Sequence, residues 1–187
     1  MVILLTRREG RRFPRTKMLD RLMAFAASLF RLDEEGWERH ANPWSVWTRV
    51  ATWPVLMFVL WSFHWFGEWS LLPLGVVVGW LALNPHAFAP PVSTRSWASR
   101  AVLGERVYLM RELHPIPVEH VNAATLLSIG SGVGGLFFVA GLIAREPAAF
   151  LTGGAVVMLC KLWFVDRMVW LYEDMKEKVP EYAGWLR

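Results

Sequence analysis

Cysteine is nearly missing from this chain: Cys160 is the only one in 187 residues. A lone thiol excludes an intrachain disulfide and a cysteine-based zinc site, and its apolar neighbourhood reads as a buried, inert position. The short motifs of common chemistries are missing too. There is no Walker loop, no Gly-x-Ser-x-Gly, no Cys-x-x-Cys, no dinucleotide glycine pattern and no His-Glu-x-x-His. The apolar runs carry no charge at their middles, which argues against an ion-coupled transporter. No nucleic-acid-binding motif accompanies the net charge of +4. Half of the twenty Lys and Arg lie at or before Arg49, beside a membrane entry. There they set topology and meet anionic headgroups, so nucleic acid is not an expected partner. Residues 2–5 are too short for the apolar core of a signal peptide and no small-residue cleavage site follows. The first membrane segment is therefore expected to serve as an uncleaved targeting signal, with Met1 or Met18 as the start.

What is present points to a bilayer. Mean hydropathy is positive, 55% of residues are hydrophobic and twelve are Trp. A soluble core rarely collects apolar residues in runs near twenty. The chain reads as all-α, an integral membrane four-helix bundle with amphipathic interfacial helices. Residues 1–36 form a basic N-terminal segment and residues 37–187 a four-span membrane domain.

Within the N-terminal segment, Leu19, Leu22, Met23, Ala26, Leu29 and Phe30 recur at helical spacing, an amphipathic helix over residues 16–30. Residues 37–49 mark the entry to the membrane, with Trp37, Trp44 and Trp47 at interfacial positions. Asn42 before Pro43 is an N-cap followed by a first-turn proline. The first span covers residues 46–66, a length of about 31 Å at the helical rise, with Pro54 one turn inside. Trp61, His64, Trp65 and Trp69 form a belt at its far end. The second span, residues 69–84, carries Gly75 and Gly79 as a small-xxx-small face for a neighbouring helix. It stops at Asn84, because the residue before Pro85 leaves the helical region. Residues 93–113 read as a surface helix capped by Ser93 or Thr94, with Arg95, Arg100, Arg106 and Arg111 keeping it out of the hydrocarbon. The third span, residues 119–143, is crowded with Gly130, Gly132, Gly134 and Gly135 and is expected to pack most tightly. The fourth covers residues 148–170, where Lys161, Asp166 and Arg167 snorkel to the interface.

Charge sets the orientation. The N-terminal basic block, the arginines of residues 95–111, Arg167, Lys176, Lys178 and Arg187 gather at one set of helix ends, and the other set has only Arg145. The basic side faces the cytoplasm, so both termini are cytoplasmic and the location is the cell membrane.

The polar residues fall on that same side. His40, His86, His114, His120 and Glu105 are the candidate metal ligands, since imidazole and carboxylate suit transition metals in helical bundles. Asn42, Asn84, Arg49, Asp166 and Arg167 form the accompanying polar cluster. The spacing names no metal, and the plainer reading is a set of solvated or helix-capping groups at the interface. His40, Asn84 and Glu105 are expected within one cluster. Two functions remain open. One is a compact bundle with a structural or lipid-interaction role, in contact with membrane lipids and with a protein partner or second copy seated on its glycine-rich helix faces. The other is a membrane-embedded enzyme acting on a lipid or apolar substrate at the cytoplasmic face, dependent on a metal or on S-adenosylmethionine. Cofactor and substrate stay unidentified.

Three patterns carry a resemblance: Trp37-x-Arg39-His40-x-Asn42-Pro43-x-Ser45-x-Trp47-Thr48-Arg49, Asn84-Pro85-x-x-Phe88-x-Pro90-Pro91, and Trp97-x-x-Arg100-x-x-Leu103-Gly104-Glu105-Arg106. Over roughly residues 37–175 the chain resembles an uncharacterised family of small prokaryotic, tryptophan-rich integral membrane proteins, which implies fold and location and no activity. The C-terminal half also resembles, in part, the membrane methyltransferases of the isoprenylcysteine and phospholipid type, through His114-Pro115, Arg167, Glu173, Asp174 and Tyr182. That likeness implies S-adenosylmethionine bound at the cytoplasmic face. Asp174 stands where those enzymes carry a second Glu, and their Tyr-x-Gly after His-Pro is missing.

Overall fold

Asn42 starts the first long helix as its residue type demands. In the computed structural model, which describes residues 34–187, its Oδ1 accepts from the Trp44 amide at 2.9 Å, and Pro43 occupies the first turn. A short helix α1 (Glu34–His40) precedes it. The amphipathic helix expected at residues 16–30 lies outside the described residues. Helix α2 (Pro43–Phe66) ends at Gly67, whose φ of 54° is left-handed and suits glycine. A 3-10 turn (Gly67–Ser70) reverses the chain into α3 (Leu71–Ala87). Two polar clasps close this antiparallel hairpin. At one end Ser62 Oγ donates to Ser70 Oγ at 2.9 Å. At the other, Ser45 Oγ donates to Asn84 Oδ1 at 2.9 Å and Asn84 Nδ2 donates to Thr48 Oγ1 at 2.8 Å.

Helix α3 does not stop at Asn84. It runs through Pro85 to Ala87. A proline so close to a helix end removes one late bond and leaves no further turn to disrupt. Gly75 and Gly79 also depart from expectation, since a Cβ added to either meets only open space. They lie on a face that no helix among the described residues covers.

Helix α4 (Trp97–Leu109) is capped by Ser96, whose Oγ accepts from the Ser99 amide at 3.0 Å. Ser93 and Thr94 are engaged elsewhere. They bind the C-terminal residue, with Ser93 Oγ donating to the Arg187 carbonyl at 2.9 Å and the Thr94 amide donating to the same oxygen at 2.8 Å. Nor is α4 a surface helix. Ala98, Ala101, Val102, Val107 and Tyr108 are buried, and Gly104 lets its backbone approach that of Met168 so closely that any Cβ would collide with the Met168 carbonyl. Three of the four arginines expected to hold it in water have partners in the fold. Arg100 pairs with Glu173 at 3.0 Å, and Arg106 and Arg111 lie over the Trp185 and Tyr108 rings.

Helices α5 (Val118–Ala144) and α6 (Pro147–Lys176) form a second hairpin. Its contact runs along Gly134, Gly141 and Gly153, where an added Cβ would meet Val156, Phe150 and Phe138. Gly132 and Gly135 face open space instead. Arg145, left-handed at φ 58°, turns between the two helices. A short α7 (Pro180–Ala183) folds back so that Tyr172 donates to the Tyr182 carbonyl at 2.9 Å. Tyr108, Met168, Leu171, Tyr172, Met175 and Tyr182 pack there as the main core. Away from that end, large apolar side chains are exposed, among them Phe58, Leu72, Val76, Leu126, Leu136, Phe137 and Leu159. Such a belt is abnormal in water and normal in lipid. Among the described residues the protein is all-helical. Three helical stretches, Pro43–Ala87, Val118–Ala144 and Pro147–Lys176, are long and apolar enough to cross a membrane.

Candidate functional site

The two hairpins do not close fully on each other. Along α2, Val46, Arg49, Val50 and Trp53 recur at spacings of three and four, so they share one helical face. That face looks across at Val157, Met158, Lys161, Leu162 and Val165 of α6. Ala101, Val102 and Glu105 of α4 line one side, and Ser131 of α5 completes the wall. The enclosed cleft has a volume of about 380 Å³, within the range of small-molecule pockets. Trp53 spans the gap, donating its indole N–H to the Gly154 carbonyl at 3.0 Å.

The cleft is apolar except for one charged corner. Lys161 Nζ donates to Glu105 Oε1 at 3.1 Å and lies 4.8 Å from the Phe164 ring centre. Lys161 stays exposed along its length while its ammonium reaches the Glu105 carboxylate. Arg49 Nε donates to the Ser45 carbonyl at 3.0 Å, the one hydrogen bond its guanidinium makes among the described residues. Burial pushes the Glu105 carboxyl up, but its basic neighbours, Lys161 foremost and then His40 and Arg49, more than offset it and hold it below the usual carboxylate range. Glu105 is thus ionised at neutral pH. His40 packs edge-on to Trp37 with ring centres 6.1 Å apart and is nearly inaccessible. Burial, reinforced by the Arg49 charge, pushes its pKa down to about 3, and it is neutral. Two cations and one carboxylate leave the corner, among the described residues, with one uncompensated positive charge.

The candidate ligands separate. His40 lies within electrostatic reach of Glu105 and His86. His114 packs against Tyr182, with ring centres 5.5 Å apart, and His120 Nε2 meets Asp174 Oδ2 at 2.7 Å. The structure does not gather the whole expected metal set of His40, His86, His114, His120 and Glu105 in one place. Among the described residues no three His, Cys, Asp or Glu side chains converge to hold an ion, because different helix ends carry these histidines to different partners. The polar cluster also divides. Asn42 Nδ2 donates to the Ala89 carbonyl at 2.8 Å, tying the membrane entry to the link after α3. Asn84 joins α3 to α2. Asp166 accepts the Trp97 indole N–H at 2.8 Å, and the Arg167 guanidinium lies over the Trp170 ring. Of this group, Arg49 alone lines the cleft. Glu173 and Asp174, of the methyltransferase likeness, pair with Arg100, Lys176 and His120.

Sequence reasoning overlooked Lys161 and Trp53 as site residues. A signal existed for Lys161: it is a cation in an apolar run, and Glu105 is a carboxylate on an amphipathic helix. Their pairing spans 56 positions, which periodicity cannot reach.

Residues 10–184 match the model of a family described as a family of unknown function, DUF6653. No curated protein and no solved structure matches the chain.

Proposed function

We propose, for a chain that belongs to this family of unknown function, an integral membrane protein with a lipid-interaction role, built as four traverses with both termini in the cytoplasm. The observation that carries the reading is the clasp of Asn84 on Ser45 and Thr48. It folds the continuous apolar stretch Pro43–Ala87 back on itself, so that stretch enters and leaves on one side. Helices α5 and α6 add two further crossings. Arg49, Arg95, Arg100, Arg106, Arg167 and Lys176 then lie toward one side and Arg145 toward the other, as the positive-inside rule requires. The apolar belt meets lipid tails, and the cleft between the hairpins opens among them. Gly75 and Gly79, with nothing opposite them among the described residues, offer a face on which a helix of a partner or a second copy can seat closely.

The test is the sidedness of single cysteines placed at Glu68, Val92, Glu146 and Arg187 in a Cys160→Ser background. With an impermeant maleimide on intact cells, positions 68 and 146 should react and positions 92 and 187 should react only after lysis. Labelling of 68 and 92 from the same side would overturn the four-traverse reading.

A further inference from the structure

We infer that the cleft between α2 and α6 binds one anionic membrane lipid, with its headgroup held at Arg49 and a chain lying on the apolar walls beyond it. The inference deepens the lipid-interaction reading of that same cleft and rests on it. Three observations carry it. The first is charge. Lys161, itself exposed, pairs with ionised Glu105, which leaves half-buried Arg49 with no carboxylate partner among the described residues beside the apolar walls of the cleft, and an unmatched charge away from water is costly. An anion removes that cost. A zwitterionic headgroup brings its own cation and does not.

The second observation is depth. Arg49 lies six residues past Pro43, about 9 Å along the helix, near the boundary between headgroups and hydrocarbon. Among the described residues its guanidinium makes a single hydrogen bond, from Nε to its own helix, so the remaining donors are available in the fork geometry that suits phosphate. The third is the path beyond. Val50, Trp53, Val157 and Met158 give the cleft apolar walls. Further along the same two helices, Met57, Phe58, Trp61, Phe150 and Leu151 line a second apolar notch, also of about 380 Å³. A hydrocarbon chain suits that sequence of surfaces. A small soluble anion gains nothing from them and would have to enter through lipid.

The test uses the full chain purified in a nonionic detergent, with native mass spectrometry of the protein titrated with dioleoylphosphatidylglycerol or dioleoylphosphatidylcholine. The wild type should retain one phosphatidylglycerol per chain under activation that strips phosphatidylcholine. Arg49→Gln should weaken that retention about tenfold, the scale of one lost charge-assisted contact, and Arg49→Lys should restore much of it. Glu105→Gln should strengthen it several-fold, because Lys161 is then free for the headgroup. Arg95→Gln, which removes an exposed cation at the same end of the bundle, should change nothing. Equal retention of both lipids would overturn the inference, and so would a wild-type response in Arg49→Gln. Displacement of the lipid by millimolar inorganic phosphate would also overturn it in favour of a soluble anion. Should Arg49→Gln fail to fold, the opposite sign expected of Glu105→Gln still decides. Lost lipid selectivity with cysteine sidedness intact sinks this inference alone, whereas reversed sidedness sinks the four-traverse reading.

Discussion

Asn84 and Ser45 meet side chain to side chain at 2.9 Å, 39 positions apart in the chain. Both are buried, and Asn84 also donates to Thr48. One amide thus joins the return helix to the first turns of the entry helix. Hydrogen bonds between membrane helices contribute about 0.6 kcal/mol on average and up to about 1.7 kcal/mol. Asn84→Leu removes two and leaves the Ser45 and Thr48 hydroxyls to their own helix carbonyls. The expected loss is about 1–2 kcal/mol in reversible unfolding by SDS. A cycle with Ser45→Ala should show positive coupling, and additive losses would mean the bond contributes nothing.

The glycines divide by what stands opposite them. Gly104 and Gly153 sit against backbone, at Met168 and Phe138. An alanine there must push two helices apart, and packed cores resist that by about 1–3 kcal/mol or more. Gly75 and Gly79 face open space inside helix α3. Alanine there should be neutral or stabilising by up to about 1 kcal/mol through helix propensity. Thermal unfolding in detergent of the four single variants checks the contrast. Similar losses at all four positions would contradict the packing.

His40 makes stability depend on pH. Its folded pKa lies near 3, below the ordinary value of 6.5, because burial disfavours the cation. Below about pH 6.5 the unfolded chain takes up a proton that the folded chain refuses, so stability falls as pH falls from there toward 3. The limiting slope is about 1.4 kcal/mol per pH unit. Glu105, held below its usual range, acts in the same direction at the lower end of that window. His40→Gln should flatten the profile between pH 6.5 and 4.5 when midpoints are measured across buffers. An unchanged slope would show that His40 protonates freely in the folded state.

Much of this architecture was legible because its signals are local. Asn42-Pro43 announces the start of α2 and does cap it, and the apolar runs of α5 and α6 are long enough to be unmistakable. Reading failed where a residue's role is set by a distant partner. Arg100 and Arg106 look like surface charges until Glu173 and Trp185 are placed beside them. Gly75 and Gly79 have the spacing of a helix contact, but spacing does not say which face the neighbours occupy. The cleft was hidden for the same reason, since its walls come from four helices and its charged corner from residues 49, 105 and 161.

Trp53 is the remaining long-range element, and it governs the cleft. Its indole N–H donates to the Gly154 carbonyl across 101 positions. That carbonyl lies in a helix whose neighbouring Gly153 packs on Phe138, so the acceptor is held in place. The Trp53 ring also packs on Phe138, with centres 5.6 Å apart. Trp53→Phe keeps an aromatic ring and deletes the donor. The loss expected is about 1 kcal/mol, or about 2–4 °C in the melting midpoint for a chain of this size. The helical far-ultraviolet signal should be unchanged. The more telling measurement is the separation of spin labels at Ala51→Cys and Leu159→Cys in a Cys160→Ser background, because those sites are exposed on α2 and α6. Trp53→Phe should broaden the distance distribution by letting the two hairpins move apart. A distribution as narrow as that of the parent would mean that Trp53 does not hold the hairpins together, and that α4 alone sets their spacing.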